Sequence, residues 1–261
     1  MSRLIEKLKK VGDAGPARMG FGPASRQESA PSILLIGRLS ASALKKGQSL
    51  KKAPVDAVII SYNKGDGPLS EAKEALDAIL WGLWPASGSC TQAVDELKSN
   101  GGDFIIFSPE YAPAEILQEE QLGKILALGA VVDEDTARGL DALAVDAVVL
   151  KAPEGLIPLT VQKLIEIEAS RCLVGKNVLM EVSSALGSKD LIAIRDLAVD
   201  GLIVDLENAK ASELKDMRAA IDGLPKKKAK SEKMGAMLPR TGLGFGAAQP
   251  RKEEEEEGEE E

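Results

Sequence analysis

Three ionisable side chains sit at the ends of apolar runs. Lys151 ends DAVVLK (146–151), Glu181 lies in NVLMEV (177–182) and Asp205 ends DGLIVD (200–205). A lysine partly shielded from water has a lowered pKa, and its free amine adds to a carbonyl to form a Schiff base. Nearby carboxylates then relay protons, which makes Lys151, Glu181 and Asp205 the candidate catalytic set. The same residues have a structural reading, a buried ion-pair network closing the core, with two carboxylates that hold Lys151 charged and oppose nucleophilicity. Glu181, Asp205 and Glu207 also form an oxygen donor set of the kind Mg²⁺ takes. Histidine is absent from all 261 residues. That excludes Ser-His-Asp and Cys-His nucleophiles, imidazole bases and His-ligated zinc, so neither zinc nor haem is expected.

The elements that must position these residues repeat. Four segments begin with Asp, run through four apolar residues and end on a polar one: Asp56 to Ser61, Asp103 to Ser108, Asp146 to Lys151 and Asp200 to Asp205. Their starts are 47, 43 and 54 residues apart, about twice one strand-helix unit in a barrel of about 250 residues. Four further strand candidates lie between them, starting at Ile33, Ile79, Lys124 and Asn177. Amphipathic stretches follow, among them 134–144, 159–173, 188–198 and 211–221. Near-continuous apolar strands bounded by helices mean a parallel sheet with both faces covered. Eight units with a two-unit repeat predict a closed (β/α)8 TIM barrel over 32–224. Strand alternation places Ile59, Ile106, Val149 and Ile203 in one interior layer, with Ser61, Ser108, Lys151 and Asp205 above it. Glu181 must face inward as well, because an outward carboxylate in mid-strand would lie desolvated beneath a helix.

Active sites of this fold occupy the C-terminal ends of the strands. Arg38, Ser61, Asn63, Ser108, Ser183 and Ser184 are there as candidate substrate contacts, with Lys64, Glu110, Glu154, Glu207 and Asn208 nearby. The SSALGS run before the 188–198 helix offers hydroxyls and a helix N-terminus to an anion, or is simply a capped helix start. The strand 8 exit, Glu207-Asn208-Ala209-Lys210, is acidic and has no glycine. The arrangement resembles the aldolase-type (β/α)8 barrels, several of whose members carry a Schiff-base lysine at the end of strand 6. DAVVLK puts Lys151 there by strand and by facing; Ala-Pro-Glu-Gly follows where one aldolase family often has Thr/Ser-Gly. DGLIVDLEN resembles the acidic strand ends of citrate-lyase-like barrels. These resemblances imply a lyase acting on a small carbonyl or carboxylate ligand.

Charge and termini add limits. Eight of the 41 acidic residues sit in 253–261, so the other 33 balance the 33 Lys and Arg. A neutral body lacks the basic face that nucleic acid requires. No run is long and apolar enough for a membrane span, and the start has no secretory h-region, so a cytoplasmic protein is expected. Cys90 and Cys172 read as two buried thiols of a reducing compartment. Residues 1–31 hold a basic amphipathic helix, expected to plug the N-terminal face of the barrel, or to lie on a membrane surface, followed by a Gly/Pro-rich segment. Residues 225–261 have blocks of like charge and few large apolar residues, the composition of disorder. GFG occurs at 20–22 and 244–246. A barrel without catalysis, binding a protein partner through these segments and the tail, is the alternative to an enzyme.

Overall fold

The computed structural model describes residues 2–11, 31–45, 53–63, 65–66, 69–76, 79–129, 131–153, 155–183 and 186–225. Lys64, Glu154, Ser184, both GFG segments and the tail from 226 lie outside them. The chain divides into Met1–Lys227 and Lys228–Glu261, and every described residue belongs to the first unit.

After α1 (Arg3–Lys10) strands and helices alternate as expected with one exception: β1 (Leu34–Ser40), α2 (Ala41–Lys45), β2 (Ala57–Tyr62), α3 (Ser70–Ala75), β3 (Leu80–Pro85), α4 (Cys90–Asn100), β4 (Phe104–Phe107), β5 (Gly123–Ala127), α5 (Glu134–Ala142), β6 (Ala147–Lys151), α6 (Val161–Cys172), β7 (Asn177–Val182), α7 (Ser188–Asp196), β8 (Gly201–Asp205) and α8 (Ala211–Asp222). The exception follows β4, where one 3-10 turn at Ala114–Gln118 takes the place of a helix. Each strand pairs in parallel with the next, and β8 pairs back onto β1, closing a (β/α)8 TIM barrel.

Strand alternation separates two cores. Leu34, Ile36, Ala57, Ile59, Phe104, Ile106, Ala147, Val149, Leu179 and Ile203 fill the barrel interior. Leu35, Val58, Ile60, Ile105, Val148, Val178, Met180, Leu202 and Val204 face the covering helices. Gly82 takes an interior position because a Cβ there would lie 2.3 Å from the Phe104 carbonyl and 2.5 Å from its ring. The ring of Phe104 fills that space.

The four aspartates of the repeat act at the N-terminal face. The amide of Asp56, Asp146 and Asp200 donates to the carbonyl of Leu35, Lys124 and Val178, each at 2.8 Å. The carboxylate in turn accepts the N–H of that same residue, at 2.9, 2.8 and 2.8 Å. Each aspartate thus clamps the start of the preceding strand through a two-way bond. Asp103 makes the backbone half to Trp81 at 2.8 Å. Its carboxylate instead accepts Ser2 Oγ at 2.7 Å and the N–H groups of Arg3 and Leu4 at 2.8 and 2.9 Å. A carboxylate at a helix N-terminus is favoured by the unpaired N–H groups and the helix dipole. It holds α1 under the barrel, where Leu4, Ile5 and Leu8 join the interior core, roughly 1.5–3 kcal/mol of burial each. Of the two readings for this helix, the plug is the one observed.

Arg218 of α8 reaches Asp56 at 2.8 Å and Asp222 at 2.7 Å. Burial works against its charge, yet the bonds to Asp222 and Asp56 raise its pKa on balance. The expectation of two buried thiols is corrected: Cys90 is buried in α4, but Cys172 is exposed on α6, and neither is paired. The helical period of α6 explains this, since Ile167 and Ser170, three residues apart, take its buried face and leave Cys172 outward. No described helix is long and apolar enough to cross a membrane.

Candidate functional site

The C-terminal mouth holds a cavity of about 430 Å³, lined by Arg38, Lys151, Glu181, Ser183, Ile203, Asp205 and Asn208, with Ala152, Pro153 and Gly155 from the β6 exit. Its volume is that of a small-molecule pocket. Ile203 forms the floor as part of the apolar layer below. The β6–α6 loop is held over the site by Lys163, whose Nζ donates to the carbonyls of Gly155 and Pro158. Gly155 adopts φ 58°, a left-handed conformation that favours glycine.

The polar groups are organised by Arg38. Its Nη1 pairs with Glu181, its Nε donates to Ser61 Oγ at 2.9 Å, and its guanidinium lies 4.5 Å from the centre of the Trp84 ring. Stacking and two directed bonds suit a planar guanidinium, which Lys would not match. Arg38, Trp84 and Glu181 all come from odd-numbered strands and occupy one layer, as barrel geometry requires. Glu181 thus faces inward as the desolvation argument demands, but the cation it meets is Arg38. The expected Lys151–Glu181–Asp205 network is corrected accordingly. All three line one cavity, yet among the described residues no ion pair or hydrogen bond joins Lys151 to either carboxylate. Lys151 is exposed at the end of β6.

Asp205 is occupied by its own loop, accepting the Glu207 N–H at 2.8 Å and Asn208 Nδ2 at 2.6 Å. Glu207 accepts the Ser40 N–H at 2.6 Å, and Leu206 N–H donates to the Arg38 carbonyl at 2.8 Å. These bonds fasten the β8 exit to β1 across the closure. The Mg²⁺ donor set of Glu181, Asp205 and Glu207 is corrected by the same facts: each carboxylate serves a different donor. Among the described residues no three acidic or cysteine side chains gather as a metal site.

The candidate substrate contacts divide. Arg38 and Ser183 line the cavity, and Ser61 supports Arg38. Asn63 does not line it; its N–H donates to Asp66 at 2.7 Å within an exposed turn. Ser108 lies just past β4, outside the lining, with its carbonyl accepting the N–H groups of Tyr111 and Ala112. The expected anion site before α7 is described only in part, because Ser184 and Ala185 lie outside the described residues. The Gly187 N–H donates to Asp190 at 3.3 Å, so an acidic side chain already caps that helix. Trp84 was not among the sequence candidates. Its signal was present in facing parity, because Leu80, Gly82 and Trp84 share one side of β3.

No family model matches the chain, and no curated protein matches it. Solved structures do. A mutant tryptophan synthase alpha-subunit from the hyperthermophile Pyrococcus furiosus is 14% identical, covering 72% of this chain and 96% of its own, with a TM-score of 0.54. The tryptophan synthase a2b2 complex from the same organism gives 13% identity, the same coverages and a TM-score of 0.52. At this identity the likeness is one of fold.

Proposed function

We propose that the barrel mouth is the active site of an aldolase- or lyase-type enzyme acting on a small carbonyl or carboxylate compound. The observation that carries this reading is the placement of Lys151 on the same cavity of about 430 Å³ as Asp205 and Glu181, with neither carboxylate bound to it. Glu181 is the counter-ion of Arg38, and Asp205 is bonded within its own loop. In the reaction Nζ gives up a proton and adds to the substrate carbonyl carbon. The carbinolamine loses water to leave a protonated imine. The substrate β-hydroxyl then gives up its proton and that fragment leaves as an aldehyde, while the electron pair of the broken carbon–carbon bond passes to the imine to form an enamine. The enamine is protonated on carbon and hydrolysed by water to free Nζ. Asp205 carries the protons, and Glu181 keeps Arg38 oriented toward the substrate. Fold-level likeness supports a site at this face and says nothing of the substrate.

Borohydride trapping tests it. The protein is incubated with 2-oxo acids and short aldehydes, reduced, and its mass measured. A covalent adduct on wild type that is lost in Lys151→Ala is the expected result. An adduct that persists in Lys151→Ala refutes the nucleophile. Binding retained by Lys151→Arg with no adduct on any protein would leave Lys151 as an electrostatic group only.

A further inference from the structure

A second cavity, about 130 Å³, opens beside the mouth between β7, β8 and α8. It shares Val182, Ser183, Asp205 and Asn208 with the mouth cavity, so the two meet at the tips of β7 and β8. The rest of its wall is Val204, Ala209, Leu214 and Met217, with Glu213. Barrels of this fold frequently bind phosphate at this position, on the loops after strands 7 and 8 and a helix N-terminus. Here carboxylates stand at both helix starts. Asp190 caps α7, and Glu213 lies in the first turn of α8, paired with Lys210 at 3.3 Å. A phosphate in the slot would meet the carboxylates of Asp205 and Glu213 and the apolar side chains of Val182, Val204, Leu214 and Met217.

We infer that this slot receives the apolar group of a ligand whose polar head lies in the mouth. The ligand is an unphosphorylated carboxylate with an apolar tail of about four carbons. The volume is that of about four waters at about 30 Å³ each, which matches a short alkyl group. The head is set by charge: Arg38 and Lys151 are the two cationic side chains of the mouth lining. This rests on the mouth being a small-molecule site, and the test separates the two.

The probe is a series of straight-chain 2-oxo carboxylates of increasing length, with binding measured by calorimetry on the full chain. Affinity rises about fourfold per methylene while the tail enters the slot, then levels once about four carbons are buried. Ala209→Leu, which fills the slot from a loop position, flattens the series and leaves the shortest member unchanged. Ala209→Val is a smaller filling with an intermediate slope, should the leucine disturb folding. Lys151→Ala weakens every member alike. A series that is flat in wild type but sensitive to Lys151→Ala overturns the slot and leaves the mouth standing, as does a slope untouched by Ala209→Leu. Phosphorylated analogues that bind more tightly than the carboxylates overturn the ligand class. Binding by no member removes the mouth reading and the slot together.

Discussion

Replacing Asp103 with alanine removes one carboxylate and three hydrogen bonds, from Ser2 Oγ, the Arg3 N–H and the Leu4 N–H. Bonds to a charged acceptor contribute about 1.5–3 kcal/mol where water is excluded. Water substitutes readily at the exposed Arg3 amide, so the three do not sum. Loss of the negative charge at the helix start adds about 0.3–1 kcal/mol. The expected cost is about 3 kcal/mol. An upper bound comes from complete release of α1, which would expose Leu4, Ile5 and Leu8 at roughly 1.5–3 kcal/mol each. Urea unfolding followed by circular dichroism measures it, and Tm should fall by roughly 10 °C, at about 2–4 °C per kcal/mol for a chain of this size. The decisive control deletes residues 2–11. In that background Asp103→Ala should cost less than about 0.5 kcal/mol, because the two changes remove one interaction. An equal cost in both backgrounds would refute the role given to Asp103.

Tyr62 is fully buried, and no described group bonds its hydroxyl; burial, then the charges of Glu96 and Asp66, raise its pKa, while Gln92 opposes them without reaching bonding geometry. Tyr62→Phe should leave stability unchanged or raise it by about 1 kcal/mol, read by urea unfolding, since it deletes an unsatisfied buried group. Exposed Cys172 should react with iodoacetamide in the native protein, while Cys90, whose pKa burial raises, should react only after unfolding; peptide mass mapping distinguishes them. The Thr136 N–H bond holds the Asp133 pKa below its usual 3.8. A depressed carboxylate stabilises the fold above its unfolded pKa and loses that contribution as pH falls through the folded value. Thr136 amide protection should therefore drop below pH 3.8 in wild type, and Asp133→Asn should remove that acid step. Arg38→Met should release Glu181 and uncover Trp84, costing about 1–2 kcal/mol given the partial exposure of the pair, and should weaken any mouth ligand in calorimetry.

Architecture was readable because its signal is periodic. Ile59, Ile106, Val149 and Ile203 recur at one offset from an aspartate, and a single period determines facing for four strands. Glu181 was placed by an energy large enough to outweigh alternatives, the desolvation of an outward carboxylate. What failed was choice among near-equal polar contacts. Lys151 stands opposite Glu181 in the sheet register, and Arg38 opposite Asp205. Adjacency favours those two pairs, yet Arg38 passes over β8 to reach Glu181. The layer of the even strands was built from the repeat, whereas the odd strands carry no common motif. Their shared layer of Arg38, Trp84 and Glu181 therefore stayed out of view. The repeating aspartates were visible as a pattern, but their partners are backbone N–H groups, which sequence does not mark.

The plug also sets an order of events during synthesis. Ser2 and Asp103 are separated by 101 positions. A ribosome adding about 5–20 residues per second delivers the anchor roughly 5–20 s after the helix. For that interval Leu4, Ile5 and Leu8 have no barrel floor to cover. Nascent chains of this protein therefore carry an unsatisfied apolar stripe on α1 until the fourth strand emerges, and chaperone contact in that window should concentrate there.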